Sequence, residues 1–269
     1  MDAPFAARSD PPKRIELLGS AMDLVTADQV LGRITEAAEG GPRVLIANHN
    51  LHSLYLIGRE PEMAALYGRA DLIEIDSRPL ILWGWLLGLK TRVSHRCTYL
   101  DWRDAFWRLA QQRRWRIFYL GGAPGVAEEA ARRLSAARPG VEIAVHHGYF
   151  DRSPGSTEDA AVLAEINAFR PQVLLVGMGM PVQEAWIARH YDELHASAVL
   201  PVGAAFDYEA GVQSAAPRVL GSLGLEWLFR LASDPHRLFR RYLVEPWSLI
   251  GPALTDLARY RSGAGRRSR

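Results

Sequence analysis

The sequence predicts an α/β fold of the Rossmann-like kind, in which a mostly parallel sheet carries helices on both faces. Short apolar runs of strand length alternate along the chain with segments of helical period, and this alternation is the pattern of βαβ units. Glycine-rich or polar loops follow several runs, as at residues 121–125. The runs are continuously apolar, which is typical of strands covered on both faces.

The first half of the chain contains three predicted strands. In order, the pattern predicts a strand at 15–18, a helix at 29–38 that begins near Thr26 and ends at Gly40, a strand at 43–47, a loop at 48–50, a helix at 61–67 and a strand at 71–75 that ends at Asp76. Residues 79–89 (PLILWGWLLGL) follow, and they have the length of a buried core helix.

The second half repeats the alternation more clearly. In order, it predicts a strand at 116–120, the glycine loop 121–125, a helix at 126–137, a strand at 141–146, a helix at 157–169, a strand at 171–176, the loop 177–181, a helix at 182–190 and a strand at 198–202 before Gly203.

Composition excludes several protein classes. The chain has 269 residues, of which 48% are hydrophobic and 23% charged, so it is not mostly disordered. Its single cysteine, Cys97, excludes an intramolecular disulfide and any metal site that needs two thiolates. No apolar run reaches about 18 residues, so no transmembrane helix is expected. The N-terminus lacks the apolar core of a secretory signal, and the single cysteine agrees with a cytoplasmic location.

Charge is unevenly distributed along the chain. The net charge is +2, but residues 228–269 hold nine arginines and three acids and therefore carry +6. By charge alone this end favours a membrane surface, a phosphate ligand or nucleic acid. The expected organisation is a flexible lead at 1–14, an α/β domain at 15–222, an amphipathic helical appendage at 223–258 and a basic disordered tail at 259–269.

Candidate site residues lie where predicted strands end, because open α/β sheets bind ligands outside the carboxyl ends of their strands. The loop with Gly121 and Gly122 can cradle a diphosphate. It can equally be a tight strand–helix turn, since it has neither the G-x-G-x-x-G spacing nor a Walker A lysine. Asp76 is placed to act either as a general base or as a helix N-cap.

Two further loops have both a functional and a structural interpretation. Gln183 can donate to a sugar or phosphate oxygen, while Glu184 can complement a helix dipole. Phe206 and Asp207 suit either a carbohydrate or nucleoside pocket or a packed turn. The histidine pairs at 49 and 52 and at 146 and 147 lack a third ligand, so no metal site is predicted.

The segment 224–242 combines an apolar stripe with interspersed arginines. Such a segment can lie on an anionic membrane, or it can pack on the domain as an ordinary C-terminal helix.

Taken together, these segments resemble the WecG/TagA/CpsF family of bacterial glycosyltransferases over about residues 20–245. The resemblance is carried by GMPVQE at 179–184, by GAAFDYEAG at 203–211 with Ala216-Pro217-Arg218, and by GLEWLFR at 224–230 followed by DPHRL at 234–238. These three motifs occur in the family's order. The stretch 98–102 (TYLDW) is more similar to the branch that serves xanthan-type exopolysaccharides.

The resemblance implies a metal-independent, inverting enzyme without a cofactor. It would move a sugar from a UDP-sugar to a polyprenyl-diphosphate-linked sugar, as a peripheral protein on the inner face of the cell membrane. It implies Asp76 as the catalytic base. It implies donor or nucleotide contacts at Asn48, Asn50, Arg78, Arg96, Gly121, Gly122, Gln183, Glu184, Phe206 and Asp207, and acceptor-diphosphate contacts at Arg230, Arg237, Arg240 and Arg241.

Two positions depart from the family pattern near the expected donor sugar. Ser77 and Arg78 follow Asp76 where the family usually has glycine, and Asn48-His49-Asn50 stands where it has T-x-N. Glucose, N-acetylmannosamine and uronic acid donors therefore stay open, and Arg78 can pair with a uronate carboxylate.

Two other functions stay open beside the transferase. One is a nucleotide-binding or regulatory module without turnover, which the altered loop at 76–78 allows. The other is nucleic-acid binding by the basic tail, which ranks last because the tail lacks interleaved aromatic residues. The expected partners are a UDP-sugar, the lipid-linked acceptor, a membrane surface and a second copy of the chain, but no nucleic acid.

Overall fold

The structure is a computed structural model that describes residues 12–213, 228, 231 and 235–261. Its strands are β1 Lys13–Leu17, β2 Ser20–Leu24, β3 Val44–His49, β4 Leu72–Ile75, β5 Arg116–Gly121, β6 Glu142–His146, β7 Val173–Gly177 and β8 Ala198–Pro201. The helices up to residue 213 are α1 Ala27–Ala38, α2 Leu51–Ile57, α3 Pro61–Arg69, α4 Arg78–Leu86, α5 Tyr99–Arg113, α6 Val126–Ala137, α7 Thr157–Phe169, α8 Val182–His190 and α9 Ala205–Glu209. The C-terminal helical structure comprises α10 Pro235–Phe239, a π-helical turn Arg240–Val244, a 3₁₀ turn Glu245–Leu249 and α11 Ile250–Arg261.

Strands β3 to β8 form one six-stranded sheet in the order β4-β3-β8-β7-β5-β6. Every neighbouring pair in it is parallel, and helices flank it, which confirms the predicted Rossmann-like α/β fold. The chain builds β3 and β4, crosses to β5, and returns through β7 and β8 to lie beside β3. All six carboxyl ends therefore meet at the same edge of the sheet.

Apolar side chains fill one core on each face of the sheet. Phe118 and Leu174 belong to the first core, whereas Tyr119 and Leu175 belong to the second. All four residues are 0% exposed. Successive residues of a strand point to opposite faces, so burial on both faces explains why these strands are continuously apolar.

Local signals account for the helix boundaries. Helices α6, α7 and α8 begin and end at the predicted residues. Helix α1 begins after Thr26, whose side chain accepts a hydrogen bond from the Gln29 N–H, while the Gln29 side chain accepts one from the Thr26 N–H. This reciprocal pair is a capping box, which satisfies two backbone groups that the first helical turn leaves open.

The sequence pattern missed a β-hairpin formed by β1 and β2, and it also missed α2 and α5. Strand β1 already begins at Lys13, within the segment expected to be a flexible lead. Asp23 of β2 pairs with Arg14 through two hydrogen bonds of 2.8 Å, and it accepts another from the Ile73 N–H in β4. The hairpin therefore depends on contacts with residues distant in sequence.

Helix α4 is not the buried core helix that its composition predicts. Leu80 and Ile81 are buried, but Leu82, Trp85 and Leu86 are 56%, 63% and 60% exposed. The helix packs on the domain with one side only, although it is apolar on all sides. An exposed apolar helix face of this kind is typical of an interaction surface.

Residues 235–261, called the C-terminal segment below, are helical throughout. Helix α11 continues to Arg261, beyond the appendage boundary expected at 258, because Arg259 pairs with Glu16 and the Tyr260 hydroxyl donates to the Glu16 carbonyl. Residues 1–11, 214–227, 229–230, 232–234 and 262–269 lie outside the described part. No helix of the described residues is both long and apolar enough to span a membrane.

Candidate active site

The carboxyl edge of the sheet brings together most of the strand ends at which site residues were predicted. Asp76 follows β4, Asn48 lies near the end of β3, and Gly203 follows β8, while Gly177 and Gly121 end β7 and β5. Adjacent strands lie about 4.8 Å apart, so these five positions span roughly 20 Å. The edge can therefore accommodate an elongated ligand.

Glycines are required at this edge because the strand ends approach each other closely. A Cβ atom at Gly121 would lie 2.3 Å from the Gly177 carbonyl oxygen. One at Gly177 would lie 2.2 Å from the Tyr119 hydroxyl and 2.3 Å from the Gly203 carbonyl oxygen. Gly122 lies half-buried beyond Gly121 and donates its N–H to Gly177 at 3.2 Å. Larger residues would force these backbones apart.

Asp76 and Arg96 lie on adjacent backbone segments. Asp76 is half-buried, and its N–H donates to the His49 carbonyl at 2.8 Å. An isolated parallel bridge joins Ile75 to Arg96, whose guanidinium is 3.6 Å from the Asp101 carboxylate. The N-cap position of α4 is occupied by Ser77 and not by Asp76.

The two asparagines are oriented by backbone contacts. Asn48 donates its side-chain amide to the Pro201 carbonyl at 3.0 Å. Asn50 is the N-cap of α2, where its side-chain oxygen accepts from the N–H groups of His52 and Ser53. Asn48 and His49 belong to β3, so the predicted loop 48–50 is wrong in its first two residues.

Gln183 and Glu184 lie beneath the edge and are 1% and 0% exposed. The Gln183 side-chain oxygen accepts from the N–H groups of Gly179 and Gly203 at 3.0 and 3.2 Å, which joins the loops after β7 and β8. Its amide donates to Glu184 at 2.8 Å. Burial raises the pKa of Glu184 to about 7. Its second oxygen has no hydrogen-bond partner among the described residues.

The remaining predicted donor residues differ in exposure. Phe206 is buried, and its ring stacks on Tyr119 with centroids 3.8 Å apart, so it supports the glycine ends from the core. Asp207 is half-buried in α9, and its carbonyl accepts two backbone N–H groups from the following turn. Arg78 is half-buried in the first turn of α4, close in sequence to Asp76.

Three buried polar residues below the edge were missed as site residues. Glu74 accepts a hydrogen bond from the Trp102 indole at 3.1 Å, and burial raises its pKa to about 8. The His49 ring stacks on Tyr67 at 4.1 Å, and burial lowers the pKa of His49 to about 3. The signal for Glu74 is an acid within an apolar strand, whereas nothing in the local sequence indicates Tyr67.

Arg240 and Arg241 of the C-terminal segment lie near α2 and α8. Arg240 donates to the Tyr55 hydroxyl at 3.4 Å. Burial, together with the charge of Arg241, lowers the pKa of His52. The charge of Arg241 also reaches Glu184, where it opposes part of the rise in pKa that burial causes. Arg230 and the side chain of Arg237 lie outside the described part. Within the described ranges, no group of three or more His, Cys, Asp or Glu side chains is placed to hold a metal ion.

The parallel sheet defines an α/β protein whose candidate site residues lie along one polar edge. The chain belongs to the glycosyl transferase WecG/TagA/CpsF family, whose sequence profile matches residues 15–263. It is thus a glycosyltransferase, which confirms the resemblance carried by the three motifs.

Similar proteins come from Staphylococcus aureus. The N-acetylglucosaminyldiphosphoundecaprenol N-acetyl-beta-D-mannosaminyltransferase of strain MW2 is 27% identical over 237 residues, which cover 84% of this chain and 87% of the relative. The proteins of the same name from strains NCTC 8325 / PS 47 and COL match with the same identity and coverage.

Proposed function

We propose that this glycosyltransferase moves a hexosyl residue from a UDP-sugar to a polyprenyl-diphosphate-linked sugar, with inversion and without a metal, in exopolysaccharide synthesis. The observation that carries the proposal is that Asp76, Arg96 and the glycine strand ends share one sheet edge. The relatives support the acceptor class, because their name describes transfer to N-acetylglucosaminyldiphosphoundecaprenol.

Asp76 is the proposed general base. The oxygen of the acceptor hydroxyl forms a bond to the anomeric carbon while the bond from that carbon to the donor phosphate oxygen breaks. The hydroxyl proton passes to the Asp76 carboxylate, and the electron pair of the broken bond leaves with UDP. Attack from the face opposite UDP inverts the anomeric centre.

The donor is proposed to lie along the edge, with its sugar near Asp76 and its nucleotide toward Gly121 and Gly122. Arg96 supplies positive charge on the donor side of the edge, where it stabilises the negative charge that develops on the leaving phosphate. Asn48, Asn50, Arg78 and Asp207 border the donor. Gln183, Glu184 and Phe206 shape the same surface from below.

The acceptor diphosphate is proposed to meet the arginines of the C-terminal segment, at the inner face of the cell membrane. Exposed apolar residues of that segment recur four, four, three and four positions apart, at Phe239, Leu243, Trp247, Ile250 and Leu254. The exposed face of α4 adds Leu82, Trp85 and Leu86. An apolar stripe with neighbouring arginines suits an anionic bilayer.

A donor screen tests the proposal. Purified protein is incubated with a panel of UDP-sugars, a short polyprenyl-diphosphate-sugar acceptor and EDTA, and UDP release is followed. Release with one donor supports a metal-independent transferase and identifies its sugar. UDP binding by calorimetry without release would favour the nucleotide-binding module, and neither release nor binding would overturn the proposal.

A single substitution tests which kind of donor sugar the enzyme prefers. If the preferred donor is a uronic acid, Arg78→Gln is expected to lower its affinity because the variant loses the charged partner of the carboxylate. The same substitution should have a smaller effect on neutral UDP-hexoses, which serve as the matched comparison.

A further inference from the structure

The C-terminal segment carries two acids, and both are turned toward the domain. Glu245 and Asp256 are 8% and 4% exposed, in a segment rich in arginine. Asp256 accepts hydrogen bonds from the Leu18 N–H at 2.8 Å and from the Trp83 indole at 3.0 Å. It therefore fixes α11 against the hairpin and α4, through residues that follow β1 and lie within α4.

Glu245 makes its contact next to the candidate active site. Its carboxylate lies 2.5 Å from the His52 imidazole, and the two side chains are 9% and 16% exposed. His52 belongs to the first turn of α2, and its N–H donates to Asn50, a residue of the site edge. One asparagine thus orients the backbone of the histidine that Glu245 holds.

A second contact joins the same helix face to the segment. Tyr55 stands three residues after His52, so both side chains lie on one side of α2. The Tyr55 hydroxyl accepts from Arg240 at 3.4 Å. The π-helical turn that contains Arg240 and Arg241 directly precedes the turn that begins with Glu245. A fixed Glu245 therefore restricts where these two arginines can lie.

The position of Arg241 agrees with this restriction. Its charge reaches His52 on α2 and Glu184 at the start of α8, after β7. It therefore lies near two elements of the site edge at once. Because burial and the charge of Arg241 lower the pKa of His52, its contact with Glu245 is a hydrogen bond of the neutral imidazole. A buried hydrogen bond adds little net stability but is costly to leave unmade, so it can fix orientation.

We propose that Glu245 and His52 form a positioning pair that holds Arg240 and Arg241 at the acceptor side of the active site. The inference rests on the proposed function and assigns a role to two residues outside the family motifs. Neither member touches the reacting atoms.

Kinetics of variants test the pair. Glu245→Ala and His52→Ala are each expected to raise the KM for the lipid-linked acceptor about tenfold, with kcat and UDP affinity little changed. The double variant should be no worse than either single variant. In an Arg240→Ala, Arg241→Ala background, Glu245→Ala should have no further effect, because the groups it positions are gone.

Glu16→Ala is the matched control. Glu16 also pairs with an arginine of the C-terminal segment, Arg259, but that contact is exposed and involves none of the candidate site residues. It should leave the acceptor KM unchanged. Two results would overturn the inference. One is a further rise in acceptor KM when Glu245→Ala is added to the Arg240→Ala, Arg241→Ala background, and the other is an equal rise in acceptor KM in Glu16→Ala.

Hydrogen exchange separates this inference from the proposed function. In Glu245→Ala, amide exchange should increase in residues 240–249, while α11 stays protected through Asp256. If the unaltered protein transfers no sugar, the proposed function has failed and this measurement still decides the pair. Unchanged exchange in residues 240–249 would show that Glu245 does not hold them.

Discussion

The sheet domain and the C-terminal segment are held in place by different interactions. In the domain, central residues such as Phe118 and Leu174 are fully buried in cores on both faces of the sheet. In the segment, Leu238 and Leu249 are buried, but most large apolar residues face outward. Its contacts with the domain include the carboxylates of Glu245 and Asp256.

The difference shows that the interactions that stabilise the domain are not those that position the C-terminal segment. Many apolar contacts determine the geometry of the domain, so one polar change there alters chemistry without altering the fold. Fewer buried contacts hold the segment, and Glu245 and Asp256 are among them, so one polar change there can move its arginines while the domain stays folded. The proposed base and donor contacts lie on the first region, and the proposed acceptor contacts lie on the second.

The largest expected effect tests the chemical role of the domain. Asp76→Asn keeps the side-chain size but removes the base, so kcat should fall about 10²- to 10⁴-fold. UDP affinity, measured by calorimetry, should change little. Asp104→Asn is the control, since its carboxylate is 78% exposed on α5. Near-normal turnover of Asp76→Asn would show that another group accepts the proton.

The next effect compares the same substitution in both regions. Leu174→Ala creates a cavity in the central strand β7 and should cost about 2–5 kcal/mol of unfolding free energy. Leu254 is 61% exposed on α11, and Leu254→Ala should change that free energy by less than about 0.5 kcal/mol. Urea unfolding measures both. Equal losses of unfolding free energy in the two variants would contradict the difference between the domain and the segment.

A third, smaller effect concerns the buried carboxyl group of Glu184. Its pKa is raised from 4.5 to about 7 by burial. Between these values the folded protein keeps a proton that the unfolded chain releases, so stability decreases as pH rises through this window. Glu184→Gln carries no titrating proton and should remove that decrease. Relative to the unaltered protein, it should gain about 1–3 kcal/mol between about pH 5 and about pH 8.

Denaturant unfolding at both pH values measures this gain, and Glu165→Gln is the control because Glu165 is exposed on α7. A Glu184→Gln variant that keeps the original pH slope would exclude Glu184 as its source.

The smallest effect on stability tests the exposed face of the segment. Trp247 is 70% exposed, so Trp247→Ser should change the unfolding free energy by less than about 0.5 kcal/mol. Binding to anionic vesicles, measured by flotation, should nevertheless weaken. Tyr149→Ser provides the comparison, because Tyr149 is 71% exposed but belongs neither to the C-terminal segment nor to α4. Equal loss of vesicle binding in both variants would contradict the proposed membrane surface.

Much of the sheet domain could be predicted because its signals are local. Strands covered on both faces are continuously apolar, and helices such as α6 and α8 have helical period directly after glycine or proline loops. The position of Asp76 and of the glycine loop directly after predicted strands also identified them as candidate residues. These features depend on neighbours within a few positions of the chain.

Other features could not be predicted because their partners are distant in sequence. Asp23 of the missed hairpin binds the backbone of β4, and the Tyr67 hydroxyl of α3 donates to the Asn48 carbonyl in β3. The same reason explains the error at α4, whose uniform apolarity hides which side finds a partner.

The sequence by itself determined most of the alternation of strands and helices, the glycines at the strand ends and the acid at Asp76, because backbone sterics and hydrophobic periodicity act locally. Only the tertiary structure decided which apolar face stays exposed, which carboxyl groups become buried, and that Glu245 meets His52 beside the site. Those outcomes depend on long-range packing, which brings together residues that no local pattern relates.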